Sequence, residues 1–501
     1  MIEVEVHSSL RDFLRENGDR DFPHHLTMTR LIARALRLNR SALMQTGSNV
    51  NKYCLSYLMP VLIGEWSAIV VAPVGIQEYL FKVEIPQLQK WLGTSKQIRI
   101  GDRWQKTDQL LLTSPASWLS DRLNNHKRFP QNIPTIIERA DNLEECAREE
   151  LTICFSPLDW NDLLEKISTQ QELIRNTRIK LTKSIFARPE NPYRNYVLLD
   201  SELDMINHLW STLTQKNLLT DKFKEFAINL NSRSTISWIS RDRDQGLFTI
   251  NLAPAEVRTK LQSVWQQQPV VIIGAFLDIE SKAATYRQRL GFDAEMLSLK
   301  FTPNRQNDQI QLYIPERLPF PNTPEFQQAL IEQSLLLVSL SSKRNRLIVL
   351  IVEDLPLQGQ VGSALAAEFG SRVKVGKNTV NNKSILICGW KFWVEYQEQF
   401  PTPSLLIIAT LPIPSLEDPL VANRVSYYKN QHQDWFRMYL LPTALKTLEE
   451  TVVPLRDSES IMALLDNRVN FRSYGQAILS ILEPCARINY IDPTWFGHPN
   501  S

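Results

Sequence analysis

Apolar positions along this chain follow two rhythms. Short unbroken runs occur at Ser67-Ala-Ile-Val-Val-Ala-Pro73, Leu110-Leu-Leu-Thr-Ser-Pro115, Thr135-Ile-Ile137 and Pro269-Val-Val-Ile-Ile-Gly-Ala275. Such runs predict strands buried on both faces, the habit of parallel sheets. Between them apolar residues recur every three or four positions, as in Gln77 to Leu92, Ala116 to Leu123, Asn142 to Leu151 and Ala255 to Trp265, and predict helices. The alternation makes a parallel α/β sheet. Upstream, Met1 to Val6 reads as an acidic strand-like alternation, followed by helices from Arg11 to Asn17 and from His24 to Leu38.

From Cys146 to about Leu230 the strand runs thin out, which predicts a helical insertion. The proline-rich stretch Tyr313 to Pro324 reads as a connection, after which the α/β rhythm restarts. A helix over Pro324 to Ser339 precedes a strand at Leu347 to Val352, then a helix from Leu357 to Phe369 and a strand at Ser384 to Cys388. A strand at Leu405 to Ala409, a helix over Asp418 to Phe436 and a strand at Ile461 to Leu465 follow. The expected division is residues 1–312, with the insertion over 146–230, and residues 313–501.

Composition sharpens this only in part. A chain of 501 residues exceeds what one core usually supports. Hydrophobic content of 43% and charged content of 22% are ordinary for globular proteins. A formal net charge of +2 gives no global basic field, so nucleic-acid binding has to come from local patches. One candidate patch is Arg175 to Arg194, where Arg175, Arg178, Lys180 and Lys183 are interleaved with Phe186 and Tyr193. Basic groups beside aromatic rings suit a single strand, and a solvated helix face accounts for them equally well. Arg30, Arg34 and Arg37 read as a solvated face. The five cysteines are scattered, with no CxxC pair, as in reduced core thiols. With no secretion signal and no apolar run long enough to cross a bilayer, a soluble cytoplasmic protein is expected.

Two places carry candidate chemistry. Thr46-Gly-Ser-Asn-Val-Asn-Lys-Tyr53 joins a strand to a helix, as a phosphate-cradling loop does, and keeps Gly47 and Lys52. Pro134-Thr-Ile-Ile-Glu-Arg-Ala-Asp-Asn-Leu143 is a buried strand ending in charge, the way a carboxylate is presented to magnesium at the carboxyl edge of a parallel sheet.

The C-terminal half then resembles the DinG/XPD group of superfamily 2 DNA helicases. Phe392-Trp393 with Glu395 is similar to its FWEG motif, and Leu411 to Pro419 to its LPFxxPxDP segment. Leu441-Pro-Thr-Ala-Leu445 resembles its lPxAi helix start, and Leu464-Leu-Asp-Asn-Arg468 with Tyr474-Gly475 its LLDxR…YG. In the N-terminal half, Thr46 to Tyr53 lies on its AGTGTGKT loop and Leu110 to Leu119 where the group reads NHxLL. Ile136 to Leu143 lies on IIDEAHNL, Gly274 to Leu277 on SATL, and Asn345 to Ile351 on GrtLvLF. The resemblance runs from about His24 to Tyr490. It implies two tandem RecA-like P-loop domains, ATP and magnesium held between them by Thr46, Gly47, Ser48, Lys52 and Glu138, and unwinding of single-stranded or forked DNA, with RNA or a protein partner as further possibilities. Phe392 and Trp393 join the basic run as candidate nucleic-acid contacts.

The substitutions bear on turnover. Glu138 falls at the magnesium carboxylate and Arg139 at the carboxylate that orients water, where a permanently protonated guanidinium cannot act as a base. Asn49 and Asn51 replace two loop glycines, Tyr53 replaces the magnesium hydroxyl, and Gly-Ala-Phe replaces SAT. Of the family's arginine fingers only Arg456 is left as a candidate. No cysteine lies between Cys54 and Cys146, where the XPD branch carries iron–sulfur ligands, so no cluster is expected. The expectation is a helicase-family protein with impaired ATP hydrolysis. The alternative is a pseudo-helicase or scaffold without turnover.

Overall fold

The computed structural model describes residues 2–17, 23–47, 53–301, 310–341, 345–456, 458 and 460–496. Two seven-stranded sheets, parallel throughout, organise the chain. The first runs, in spatial order, through Leu297–Lys300, Ala42–Gln45, Val270–Gly274, Thr135–Ile137, Ala68–Val71, Leu110–Thr113 and Ile98–Ile100. The second runs through Val373–Val375, Ile385–Cys388, Ile348–Ile351, Leu405–Ile408, Ile461–Leu464, Ile310–Tyr313 and Cys485–Ile488. Every residue of the central strands is buried, which is why these segments read as continuous apolar runs rather than alternations. The two tandem α/β lobes expected from the sequence are present.

Three boundaries differ from the sequence reading. The first residues are helical, Ile2–Glu16, with Val6, Leu10, Phe13 and Leu14 packed inward. Their apparent alternation was too short to distinguish a period of two from one of 3.6. The division expected at 312/313 falls inside the strand Ile310–Tyr313, which pairs in the second sheet with Ile461–Leu464 and Cys485–Ile488. The insertion carries the expected helices Pro157–Lys166, Gln171–Ala187, Asp200–Gln215 and Asp221–Leu230. It also carries a four-stranded antiparallel sheet, in the order Ile153–Phe155, Leu247–Pro254, Thr235–Asp242 and Asn195–Tyr196. This unit has its own core, in which the Phe155 ring meets Trp160, Trp210, Phe223 and Phe226 at centroid distances of 4.9 to 5.9 Å.

Parallel strands all deliver their following loops to one edge. Thr46, Glu138 and Ala275 follow three adjacent strands of the first sheet, so the loop, acidic and Gly-Ala-Phe segments meet there. No described helix is long and apolar enough to cross a membrane.

Candidate nucleotide cleft and nucleic-acid surface

Thr46, buried just past its strand, donates its N–H to Gly274 O at 2.9 Å. Gly47 turns at φ +62° and donates its N–H to Ala275 O at 3.1 Å. A phosphate cradle works through free backbone N–H groups, and this one is already committed to the neighbouring strand. Ser48 and Lys52 lie outside the described residues. Tyr53 is buried in the first-lobe core, its ring stacked 4.7 Å from His25. A phenol packed in a core does not replace a magnesium-bound hydroxyl.

Glu138 is only 1% exposed, and its carboxylate accepts the hydroxyl proton of Tyr57, from the helix Cys54–Ile63 that follows the loop. Its other oxygen, Oε1, has no hydrogen-bond partner among the described residues. Burial pushes the Glu138 carboxyl up to about 7, against the Tyr57 hydrogen bond and the Arg139 charge, both of which pull it down. A carboxyl so desolvated and plugged by a phenol does not present a magnesium ligand. Glu138 as arranged therefore does not fit the metal that the family resemblance implies.

Arg139 adopts a left-handed φ of +52°, which turns the chain sharply, and its Nη2 reaches Glu398 of the second lobe at 3.4 Å. Asp141, at the family's histidine position, has a role that sequence reasoning missed. Its Oδ1 accepts Phe276 N–H at 2.7 Å and its Oδ2 accepts Ala275 N–H at 3.2 Å. The acidic segment is thereby tied to Gly-Ala-Phe by charge-assisted bonds to the backbone. Burial still raises the Asp141 carboxyl above the usual range.

The second lobe closes this cleft with the helix Leu441–Arg456. Glu449 on it is buried, and desolvation raises its carboxyl to about 7 even with the Arg456 and Lys300 charges pulling it down. Glu450 is shifted the same way for the same reason. Arg456 does not point an open guanidinium at Glu138: its Nη2 donates to Ile481 O at 2.8 Å and Glu483 O at 3.0 Å, capping the end of the helix Gly475–Leu482. The charges around Asp141, Glu449 and Glu450 are mixed, since Arg139, Lys300, Lys446 and Arg456 each pull at least one of these carboxyls down.

The lobes are joined by ions that the sequence did not advertise. Glu144 is contacted by Arg148 at 2.7 Å and also by Arg289 and by Arg424 of the second lobe. Arg424 further reaches Glu145 at 3.1 Å and lies 4.1 Å from the centroid of the Tyr439 ring. The arginines hold Glu144 at about 2, overcoming its burial. Lys446 donates to Asn142 across the same seam. Beside it lies a cavity of about 280 Å³ lined by Phe276, Asp278, Tyr286, Arg289, Phe436 and Tyr474 among others.

The proposed nucleic-acid contacts separate into two groups. Arg175, Lys180 and Lys183 are exposed on the helix Gln171–Ala187, whereas Arg178 is half-buried and bonds Asn161 Oδ1 at 2.9 Å. Trp393 is 1% exposed in the second-lobe core, and Phe392 packs on Tyr396 with centroids 4.8 Å apart. The Trp393 face is therefore occupied by protein. The structure does not bring these two rings onto one surface with the basic helix.

No protein-family profile matches the chain. It is similar to proteins named ATP-dependent DNA helicase YoaA. In Escherichia coli the match is 26% identical over 254 residues, which are 48% of this chain and 40% of that protein. In Haemophilus influenzae it is 24% identical over 254 residues, 48% and 39% respectively. The matched region thus spans about two-fifths of those relatives. In fold, Xpd4 of S. tokodaii superposes with a TM-score of 0.58 at 12% identity, over 94% of this chain and all of that one. A second XPD helicase structure gives 0.62 at 11% identity, over 93% and 99%. In sequence, then, the chain is similar to the YoaA helicases over about half its length, and its fold is that of the XPD structures.

Proposed function

We propose that this protein acts on DNA as a helicase-family core whose ATP hydrolysis is impaired. The observation that carries the reading is the Glu138 carboxyl, which is buried with one oxygen taken by the Tyr57 hydroxyl. Hydrolysis of a phosphoanhydride by this fold needs a metal between the β- and γ-phosphates and a group to orient the attacking water. On this reading Glu138 supplies neither while Tyr57 holds it, and Arg139 has no basic lone pair to offer. ATP and magnesium, if they enter through Thr46, Gly47, Ser48 and Lys52, meet a cleft whose Asp141, Glu449 and Glu450 are buried among Arg139, Lys300, Lys446 and Arg456.

A second reading, a pseudo-helicase that binds nucleic acid or a protein partner with no turnover at all, is favoured by the Arg424–Glu144 pair. That contact joins the lobes through protein groups. One experiment separates the two. ATPase activity is measured with and without single-stranded DNA, alongside equilibrium binding of a labelled non-hydrolysable ATP analogue with and without magnesium. Slow DNA-stimulated turnover that vanishes in Lys52→Ala supports impaired hydrolysis. DNA binding with no saturable analogue binding supports the pseudo-helicase. Turnover at the rate of an ordinary helicase overturns both.

A further inference from the structure

We infer a second small-molecule site, for a mononucleotide, at the opposite edge of the first sheet from the cleft. The loop 125–134 leads into the strand Thr135–Ile137, and the helix Arg258–Gln267 leads into Val270–Gly274. Both therefore sit at the strands' amino ends, whereas Thr46 and Glu138 sit at the carboxyl ends. Between them lies a cavity of about 570 Å³, lined by Trp104, Arg122, Lys127, Arg128, Gln267 and Gln268 among others. That volume falls within the usual span of small-ligand pockets, roughly 300–1,000 Å³.

The walls are built rigidly. Asp121, fully buried, accepts Arg128 N–H at 2.5 Å and Arg122 Nη1 at 2.9 Å. Arg122 also donates to Phe129 O at 2.7 Å and Pro130 O at 2.9 Å, and Trp104 N–H donates to Arg128 O at 3.0 Å. Gln268 Nε2 holds Ile133 O at 2.9 Å.

Two features point to a ligand. Asp121 is the one carboxylate among the lining residues and is fully engaged, while Arg122, Lys127 and Arg128 bring three cations. Moreover Nε of Arg122, Nε of Arg128 and Oε1 of Gln268 are buried with no hydrogen-bond partner among the described residues. Leaving buried groups unmade is costly; an anion would satisfy the Arg122 Nε–H and a donor on the ligand the Gln268 oxygen, while Arg128 Nε lies 3.9 Å from Asp121 Oδ1. Desolvation lowers the Arg122 affinity for its proton, consistent with a cation held without enough negative charge. A phosphate suits Lys127 and the Arg128 guanidinium, since both terminal nitrogens of Arg122 are held by Asp121, Phe129 O and Pro130 O. The Trp104 indole and the amides of Asn125, Gln131 and Gln267 suit a planar base with hydrogen-bonding edges.

The test is calorimetric titration of the full chain with AMP, GMP and inorganic phosphate. Saturable binding of a mononucleotide is expected, unchanged in Lys52→Ala and weakened at least tenfold in the double variant Lys127→Gln/Arg128→Gln. Circular dichroism shows whether that variant is folded, and Trp104→Phe, which keeps the bulk of the ring, should weaken the nucleotides and spare phosphate. Loss of binding in Lys52→Ala would assign the ligand to the cleft and overturn the second site, without touching the reading of Glu138. Equal affinity for phosphate and nucleotides would overturn the base-binding half of the proposal, and no saturable binding would overturn all of it.

Discussion

Tyr57 donates its hydroxyl proton to Oε2 of Glu138, pairing the helix that follows the candidate phosphate loop with the strand end that follows Ile137. The bond has a pH consequence. The Glu138 carboxyl titrates at about 7 when folded and near its model-peptide value when unfolded, so the folded state holds the extra proton. Stability from this group is present below the unfolded value and is lost as pH rises through about 7. Glu449, also near 7, acts in the same direction. Denaturation of the wild type should show stability falling between about pH 5 and pH 8, by up to ~3 kcal/mol per group as an upper bound. Glu138→Gln should flatten that slope by its share. A slope unchanged in Glu138→Gln would show that the carboxyl is solvated in solution.

Removing the phenol tests the plug from the other side. In Tyr57→Phe the Glu138 carboxylate loses its one described hydrogen-bond donor inside a buried site. The expected cost is about 1–3 kcal/mol, the penalty for an unsatisfied buried polar group. A double variant, Tyr57→Phe/Glu138→Gln, should recover part of that loss, because the amide carries no charge to desolvate. Urea denaturation of the three variants gives the coupling directly, and additive effects would mean that the two side chains do not interact.

Across the lobes, Arg424 and Glu144 form a buried ion pair reinforced by Arg148 and Arg289. Glu144 titrates near 2, well below its ordinary value, so its contribution is present above the ordinary carboxylate range and lost only as pH falls toward 2. Arg424→Ala leaves Glu144 two other arginines, so the cost should fall below the 3–5 kcal/mol of a fully broken buried pair, at about 2 kcal/mol. The sharper readout is geometry. Dyes on the two lobes should move apart in Arg424→Ala at neutral pH, and an unchanged transfer efficiency would show that other contacts, such as Arg139–Glu398, suffice.

Asp141 shows why the fold was more legible than the site. The strands announced themselves because burial on both faces demands unbroken apolar runs, and the sheet edge followed from their parallel order. Asp141 read only as a substituted histidine, since its use depends on Ala275 and Phe276, far away in sequence, arriving at hydrogen-bonding distance. Arg424 and Glu144 were equally silent, because a Glu-rich helix normally faces water and here one of its carboxylates faces three arginines. Tyr57 did leave a signal: a lone phenol in Cys54–Ile63, a buried helix that is apolar apart from it and Ser56, needs a polar partner. Trp393 was ambiguous in another way, since an aromatic pair in a motif is as readily core as contact surface, and its ring is in the core. Truncating Asp141 to Ala should cost about 1–3 kcal/mol for each backbone N–H it strands, and Asp141→Asn less, because an amide oxygen still accepts. Equal loss in both would point to the charge rather than the acceptor.

Single-strand binding by the basic helix makes the last prediction. Arg175, Lys180 and Lys183 are exposed on Gln171–Ala187, while Arg178 is held by Asn161, so the first three should carry any phosphate contacts. For single strands the logarithm of affinity falls with the logarithm of salt at roughly 0.7 per phosphate neutralised. The triple variant Arg175→Ala/Lys180→Ala/Lys183→Ala should therefore shallow that slope by about 2 and weaken binding most at low salt. Arg178→Ala should change the slope little. Phe392→Ala should act through loosened packing against Tyr396, seen as lower thermal stability rather than a salt-independent loss of affinity. Fluorescence anisotropy with a labelled oligonucleotide over a salt series measures all of these, and a slope identical in wild type and triple variant would move the DNA track off this helix.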